Sequence, residues 1–422
     1  MPPRASDPPG SAGRRNVPDA YIFDSVRTPR GKGRASGALH TLSPIDLGAT
    51  VLSALDERTR FSRFGPEDVI FGCGDGVNDQ GANIARSSVL HAGLPDTIPG
   101  STVSRFCASG LDAVNAAAAR VMAGQADLLV AGGVEMMSII PIAGTGGPNG
   151  TDAIFNDEAH FTPLGEAADL LATLCGHTRS DVDAFAAMSQ ARAAAAWSEG
   201  RFDLSVVPVH DANGVLMLDH DEHMRPGTTA DDLAKLPAAF KAMGEKGGFD
   251  AVVRQRYPQV AKVAHVHTAG NSSGIVDGAA AMLIGTAEAG RRLGLKPRAV
   301  IRSFANAAMD PCLMLAAPAD ATTRCLARAG RTLRDVDLFE VNEAFASVVL
   351  HFMERTGVGS DRINVNGGAI AMGHPIGATG VMLLGTLLDE LERTGRESGV
   401  ATLCVGMGMG VATCIERVGG GS

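Results

Sequence analysis

Residues 364–380 read Asn364-Val-Asn-Gly-Gly-Ala-Ile-Ala-Met-Gly-His-Pro-Ile-Gly-Ala-Thr-Gly380. The glycines predict a tight turn that delivers His374 to the start of an apolar helical run. A second stretch, Ser104-Arg-Phe-Cys-Ala-Ser-Gly110, places Cys107 at the opening of another helical run. Free amide N–H groups and the helix dipole stabilise an anion there, so we expect Cys107 to be favoured as a thiolate. We predict that the two stretches meet and that the imidazole of His374 lowers the pKa of Cys107 further.

Four short blocks of the sequence together carry a family resemblance. They are Cys107-Ala-Ser-Gly110, Asn342-Glu-Ala-Phe345, Gly373-His-Pro-Ile-Gly377 and Cys404-Val-Gly406. In this order they resemble the blocks of thiolases, which are acyl-CoA acyltransferases. The resemblance runs from about Ala20 to Val418. The chain is most similar to degradative 3-ketoacyl-CoA thiolases, because 219–226 and 265–274 resemble the thiolase subunit of bacterial β-oxidation complexes.

The overall composition limits the class of protein. The chain has 422 residues, of which 45% are hydrophobic, enough for a large buried core and two or three domains. A net charge of −9 argues against a nucleic-acid-binding surface. Seven cysteines without regular spacing favour a reducing cytoplasm over a secreted disulfide framework. No signal-peptide pattern and no transmembrane apolar run is found, so we predict a cytoplasmic protein.

Short apolar strands alternate with helical runs from Ala20 onward, which predicts an α/β fold. We expect a disordered tail at 1–19, an N-terminal half at 20–290, a C-terminal half at 291–418 and a flexible tail at 419–422. Glycine-rich and acidic loops at about 138–265 predict an inserted loop domain within the N-terminal half.

Two further features concern this organisation. Within the inserted segment, a long helix is expected to begin with a capping box at Ser180-Asp-Val-Asp183. An internal repeat is visible between Asp68–Cys73 and Asp337–Asn342, which stand at similar distances before Cys107 and His374. The resemblance to thiolases independently implies two duplicated βαβαβ halves in an α/β/α arrangement.

Cleavage of a carbon–carbon bond next to a ketone needs a nucleophile and a proton donor for the departing enolate. The resemblance implies that His374 deprotonates Cys107, whose thiolate attacks C3 of a 3-ketoacyl-CoA. It implies that Cys404 protonates the acetyl-CoA enolate. It further implies that Asn342 holds a water beside His374 for one oxyanion, and that the amides of Cys107 and Gly406 stabilise the other.

Substrate contacts are expected from two more residues. Ser273 matches the thiolase loop that touches the pantetheine arm of CoA, and Phe345 is a candidate substrate-binding residue. CoA is then a substrate, and we predict no metal and no bound cofactor, because no dinucleotide, P-loop, CxxC or HExxH pattern is present. The remaining histidines of interest are interpreted as loop or pocket residues: His220, His223, His265 and His267.

Alternatives to a degradative thiolase remain open. A biosynthetic acetoacetyl-CoA thiolase would use the same residues, but the histidine–methionine pair typical of short-chain thiolases is absent around Phe161–Gly165. A ketoacyl synthase would pair its cysteine with two histidines, whereas this chain has Asn342 and Cys404. A non-catalytic acyl-CoA or lipid-binding protein would bind without turnover. The family further implies a homodimer or homotetramer and a possible hydratase/dehydrogenase partner subunit.

Overall fold

The structure is a computed structural model that describes residues 18–419, so the predicted tails at 1–19 and 419–422 lie almost wholly outside the described residues. The strands are β1 (Ala20–Arg27), β2 (Gly31–Lys32), β3 (Asp68–Gly72), β4 (Gly100–Val103), β5 (Leu128–Met136), β6 (Val209–His210), β7 (Leu216–Leu218), β8 (Val276–Gly285), β9 (Ala299–Ala308), β10 (Leu338–Val341), β11 (Ser398–Val405) and β12 (Met409–Arg417).

The helices alternate with these strands along the chain. They are α1 (Pro44–Thr59), α2 (Ile84–His91), α3 (Ser109–Met122), α4 (Pro148–Thr151), α5 (Ala153–Glu158), α6 (Leu164–Cys175), α7 (Arg179–Ser198), α8 (Ala230–Ala234), α9 (Lys241–Glu245), α10 (Phe249–Arg256), α11 (Ala287–Leu293), α12 (Pro318–Arg328), α13 (Ala346–Thr356), α14 (Ala369–Met372) and α15 (Ile376–Thr394).

The main sheet is built from two similar halves. Its strand order is β10-β11-β12-β9-β1-β8-β5-β3-β4, with β2 paired to β8. In the N-terminal half β5 pairs parallel with β3 and antiparallel with β8, and in the C-terminal half β11 pairs parallel with β10 and antiparallel with β12. A single parallel bridge from Phe339 to Ile363 stands where the first half has β4. The predicted layered α/β fold of two duplicated halves is confirmed.

The halves join through β1 and β9, which pair antiparallel with Tyr21 opposite Val300. Helices α3 and α15 are enclosed by strands of both halves, and a single apolar core surrounds them. Outer helices cover the opposite faces of the strands, with α1 and α2 in one core cluster and α12 and α13 in another. Because both faces are covered, every residue of β5 and β8 is buried.

Helices α3 and α15 approach each other at glycines. A Cβ atom on Gly110 would lie 2.6 Å from the carbonyl oxygen of Gly377, and one on Gly380 would lie 2.3 Å from the amide nitrogen of Leu111. Side chains at these positions would therefore separate the helices. The close contact brings together the two helix starts, one following Cys107 and the other following His374.

The segment between β5 and β8 contains helices α4–α10 and the β6–β7 ribbon. Its longest helix, α7, is capped two residues earlier than the predicted box. Thr178 is the N-cap, and its hydroxyl and amide exchange hydrogen bonds with Asp181. The prediction at Ser180 was wrong because Thr178 offers an equivalent capping hydroxyl with an acidic residue three positions on.

A search of the described helices finds none long and apolar enough to cross a membrane.

Candidate active site

Cys107 lies in a short 3-10 turn, Phe106–Ala108, that leads directly into α3. Phe106 adopts a left-handed backbone conformation with φ of 44°. The turn is held by Ser109, whose hydroxyl accepts from the Arg105 amide and donates to the Phe106 carbonyl. The backbone amides of Cys107 itself and of Gly406 lie near the Cys107 sulfur and favour its anionic form. The sulfur thus faces the pair of N–H donors that the sequence predicted for an oxyanion.

The resting thiol is nevertheless protonated. Burial raises the pKa of Cys107 to about 11, against the lowering effect of the two amides. This direction is opposite to that expected from the helix start alone, which leaves out the loss of solvent around the sulfur. The Cys107 thiol is therefore neutral in the resting protein.

His374 follows Gly373, whose φ of 101° suits glycine and whose Cβ would strike Val276. The backbone amide of His374 donates to the Gly274 carbonyl over 2.9 Å. Its Nδ1 lies 2.6 Å from the hydroxyl of Thr379, which itself donates to the Pro375 carbonyl. The hydroxyl therefore accepts from Nδ1–H, which leaves Nε2 with a free lone pair.

The environment keeps His374 neutral. Burial, assisted by the positive charge of Arg30, lowers the pKa of His374 to about 3. The amide nitrogen of Asn342 lies 3.3 Å from His374 Nε2 and can donate to it. A neutral imidazole whose Nε2 carries a lone pair is suited to act as a base.

Cys404 and Asn342 occupy the carboxyl ends of the neighbouring parallel strands β11 and β10. The Asn342 amide donates to the Thr402 carbonyl over 2.9 Å, which continues the ladder between these strands. Cys404 is buried, and burial together with the nearby Cys107 sulfur raises its pKa. A second thiol that stays protonated beside Cys107 is suited to donate a proton.

The predicted residues fall into two sets. Gly406 and Cys404 lie near Cys107 and influence its pKa or are influenced by it, whereas Asn342 contacts His374 over 3.3 Å. The crossing of α3 and α15 joins them.

The two predicted substrate-binding residues, Ser273 and Phe345, differ in exposure. Ser273 lines a groove on the surface. The Phe345 ring is buried behind that groove and packs edge-on against Phe240, which lines it.

Sequence reasoning missed Glu135, which lies near the end of β5. One carboxylate oxygen accepts from the backbone amides of Gly74 and Gly377, over 2.7 and 2.8 Å. The other oxygen accepts from the backbone amide of Asp75 and from the side-chain amide of Gln80. Through the Gly377 amide, this carboxylate holds the first turn of α15, which begins two residues after His374. The available signal was an acidic residue in an otherwise apolar strand, because a buried carboxylate needs donors.

A cavity of about 120 Å³, open to solvent, lies beside Cys107. Its wall is mostly apolar and contains no lysine, arginine or histidine; the lining residues are Gly74, Asp75, Phe106, Cys107, Ile142, Ala143, Asn149, Phe161, Leu164, Met314, Ile376, Gly406 and Met407. Met407, one of these lining residues, adopts a left-handed conformation with φ of 63°.

A second and more polar groove carries positive charge. Lys32, Arg34 and Arg225 line it together with Ser272 and Ser273. The floor of the groove is hydrogen-bonded to the segments that carry candidate catalytic residues. The backbone amide of Ser273 donates to the Ala344 carbonyl, and the Gly274 carbonyl accepts from the backbone amide of His374. Such a groove can bind a phosphate-bearing ligand whose other end reaches the cysteines.

Comparison with known families and proteins places the chain among acyltransferases. The thiolase N-terminal domain matches residues 20–248 and the thiolase C-terminal domain matches residues 295–417. The chain is 41% identical to an acetyl-CoA acetyltransferase of Chromobacterium violaceum, over 91% of this chain and 96% of that protein. It is 40% identical to a 3-ketoacyl-CoA thiolase of Acinetobacter baumannii, over 96% and 99%.

Two further similarities extend this picture. A β-ketoadipyl-CoA thiolase of Pseudomonas putida is 38% identical, over 95% of this chain and all of that protein. The crystal structure of an acetyl-CoA acetyltransferase of Bacillus anthracis matches with a TM-score of 0.81 at 33% identity, covering 95% of this chain and 99% of that one. The relatives thus carry three different substrate names on one fold.

Proposed function

Because this chain belongs to the thiolase family of acyltransferases, which act on CoA thioesters, we propose that it is a degradative 3-ketoacyl-CoA thiolase for apolar acyl chains. It would cleave a 3-ketoacyl-CoA with free CoA to give acetyl-CoA and a shortened acyl-CoA, a step of fatty-acid β-oxidation. The observation that carries the proposal is the apolar cavity beside Cys107.

The wall of the cavity favours one acyl class over two others. A chain ending in a carboxylate, as in β-ketoadipyl-CoA, would lose its solvation there without meeting a basic side chain, and Asp75 would repel it. The four-carbon acetoacetyl group would bury less surface against this apolar wall than a longer chain does. A longer hydrocarbon chain gains by burying its surface against Phe161, Leu164 and Met314.

The residues present can carry out each step of the cleavage. His374 Nε2 takes the proton of Cys107, whose sulfur bonds to the C3 carbonyl carbon of the substrate. The C2–C3 bond then breaks, its electron pair passes to the acetyl-CoA enolate, and Cys404 protonates C2. Free CoA, whose thiol proton passes to the Cys404 thiolate, finally attacks the acyl–Cys107 thioester. The bond between the acyl carbon and the Cys107 sulfur breaks, and the proton held by His374 returns to Cys107, so all three residues are restored.

Oxyanion stabilisation is assigned to donors on two sides. The amides of Cys107 and Gly406, which already converge on the sulfur, suit the oxygen of the acyl–Cys107 intermediate. Asn342, which lies against His374 Nε2, suits a water that serves the other oxygen. The positively charged groove with Ser273 suits the phosphates and pantetheine arm of CoA.

The test is a series of thiolysis rates with acetoacetyl-CoA, 3-ketooctanoyl-CoA and 3-ketoadipyl-CoA. We expect kcat/KM to be highest for the octanoyl substrate. The substitution Ile142→Trp, at a half-exposed position in the cavity wall, should lower the octanoyl rate about 10-fold or more while leaving acetoacetyl-CoA within about twofold.

The matched control is Leu204→Trp, at an exposed position that does not line the cavity, and it should change neither rate. Highest activity with acetoacetyl-CoA would instead assign the biosynthetic role. Highest activity with 3-ketoadipyl-CoA would contradict the inference that the apolar cavity wall disfavours an acyl chain ending in a carboxylate. Binding without turnover would assign a non-catalytic role.

A further inference from the structure

A buried group of titratable side chains that the thiolase chemistry does not use lies where α6, α10 and the segment before β8 meet. Glu166, Asp250 and His265 each direct one ligand-type atom into it, and these atoms lie within 4.8 Å of one another. The three residues come from separate parts of the chain. Their convergence could not be found from sequence spacing, which gave no support for His265 as a ligand.

The polar atoms of this group lack partners. Glu166 has no exposed surface, and among residues 18–419 neither of its carboxylate oxygens has a hydrogen-bond partner. Asp250 Oδ1 and His265 Nε2 lie 3.3 Å apart, yet neither makes a hydrogen bond. Asp250 Oδ1 and His265 Nε2 are therefore close together without forming a hydrogen bond, as two ligands of one metal ion are. Unpaired buried carboxylate oxygens are costly, so the group calls for a cation or a proton.

A neighbouring carboxylate orients the imidazole. Asp169 Oδ2 lies 2.9 Å from His265 Nδ1, and its Oδ1 lies 2.8 Å from His267 Nδ1. Asp169 is fully buried and also accepts from the amides of Val266 and His267. A carboxylate that receives Nδ1–H fixes the tautomer in which Nε2 carries the lone pair, as found behind metal-bound histidines.

The carboxyl groups collected around this site also favour a bound cation. Glu166, Asp169 and Asp250 place three carboxyl groups around His265. Gly244 packs closely against them, since a Cβ there would lie 2.4 Å from Asp250 Oδ1 and 2.8 Å from Glu166 Oε2. A divalent cation would neutralise this charge and satisfy the unpaired oxygens.

We propose that Glu166, Asp250 and His265 bind a divalent transition-metal ion, with Asp169 as the outer carboxylate that positions His265. One imidazole and two carboxylates are a ligand set that suits Zn²⁺, and the imidazole disfavours Mg²⁺ and Ca²⁺. The ion would tie α6, α10 and the segment before β8 together. Since α6 begins with Leu164 of the acyl cavity, the ion would hold one wall of that cavity in place.

The competing explanation is a shared proton. Glu166 could donate a proton to Asp250, with His265 charged between Asp250 and Asp169, and no metal would be needed. A second cluster provides a matched control, because Cys175, His177 and Glu354 also lie within metal-binding distance of one another. There the groups already pair: His177 Nε2 with Glu354, and Cys175 with His351.

The experiment measures metal binding by the full-length protein. After dialysis against Zn²⁺ and then metal-free buffer, we expect about one tightly bound Zn²⁺ per chain by elemental mass spectrometry. Glu166→Gln, which keeps the side-chain shape, should weaken Zn²⁺ binding by more than about 100-fold. Glu354→Gln should leave the metal content unchanged. Zn²⁺ should raise the Tm of the wild type and of Glu354→Gln but not of Glu166→Gln.

Cobalt distinguishes the two clusters directly. Co²⁺ bound by nitrogen and oxygen ligands should show weak visible bands without the strong near-ultraviolet thiolate charge-transfer band expected from Cys175, Cys107 or Cys404. If Glu166→Gln does not fold, the partly exposed Asp250→Asn is the second variant. Equal metal content in wild type and these variants, a thiolate band, or a metal-free wild type would each overturn the proposal, and the last would assign the shared proton.

Discussion

The reactive residues are held as a neutral pair. Burial raises the pKa of Cys107 to about 11 and lowers that of His374 to about 3, so neither residue carries charge at neutral pH before substrate arrives. The donors around them are already placed: two amides at the sulfur and Asn342 at the imidazole. Charge would then develop only when the substrate carbonyl receives it, where preorganised donors are most effective.

Burial of neutral His374 predicts a pH-dependent stability. Its folded pKa of about 3 lies below the ordinary value of 6.5, so between these values the unfolded state binds more protons. The stabilisation of the neutral form is complete above about pH 6.5 and is lost as the pH falls, by about 1.4 kcal/mol per unit for this one group. Replacing His374 by Gln should remove this part of the dependence, measured as urea unfolding at about pH 7, 6 and 5.

The control for this prediction is His220→Gln, at an exposed histidine, which should leave the pH dependence of stability unchanged. Identical pH dependence of the urea midpoint in wild type and in His374→Gln would show that His374 is not buried as a neutral group.

At the level of single residues, the sequence predicted which side chains are catalytic candidates better than it predicted their protonation and tautomeric states. The four blocks identified Cys107, His374, Asn342 and Cys404. They did not reveal that Thr379 sets the tautomer of His374, because that contact depends on the turn after Pro375. Nor did they reveal the protonation of Cys107, because burial depends on distant segments that cover the turn.

The contact of α3 with α15 determines where the site forms. Both helices begin at the catalytic turns, and Gly110 and Gly380 allow their backbones to touch. A wider separation would move Cys107 away from the turn that carries His374. Helix packing at small residues thus has a direct catalytic consequence here.

Two glycines of α15 provide a matched test of this contact. At Gly380 an added Cβ would meet the backbone of Leu111 at 2.3 Å, whereas at Gly385 it would meet the hydroxyl of Ser25, which can rotate away. Gly380→Ala should destabilise the protein by about 1–3 kcal/mol through overpacking and lower kcat. Gly385→Ala should be close to neutral, since alanine favours the helix by about 1 kcal/mol.

Thermal unfolding and thiolysis rates measure both variants. Equal stability and activity of Gly380→Ala and Gly385→Ala would contradict the importance of the contact.

Elements were predictable where apolar periodicity is strong. The helical runs predicted after Cys107 and after His374 are α3 and α15. The inserted segment was predicted only in outline, because its short helices depend on caps and on packing against the rest of the chain. The start of α7 shows this: two nearby hydroxyls could cap it, and only tertiary context selects Thr178.

At the scale of the whole molecule, the two halves meet through a few buried polar contacts as well as through the core. Glu135 of the first half accepts from the Gly377 amide of the second half and from the Gly74 amide of its own. Burial raises the pKa of Glu135, but four donors surround its carboxylate. The resemblance to thiolases implied that two halves meet, but it did not identify this link, which requires the three-dimensional crossing of β5 and α15.

Glu135→Gln should weaken the junction between the halves. The amide would turn an N–H toward donors that now face a carboxylate oxygen, so at least one buried N–H would lose its acceptor. The expected cost is about 1–3 kcal/mol of unfolding free energy, with a lower kcat because the start of α15 shifts. Glu354→Gln, at a largely exposed carboxylate, is the control and should change neither quantity. An unchanged stability for Glu135→Gln would argue against this role.

The central claim is that the two halves assemble one thiolase site in which Cys107 carries the acyl group. The most direct measurement is mass spectrometry of the protein mixed with 3-ketooctanoyl-CoA without free CoA, followed by peptide mapping. We predict a hexanoyl adduct on Cys107 that disappears when CoA is added, and no adduct in Cys107→Ala. An adduct on another cysteine, or none on wild-type protein that binds the substrate, would contradict the account.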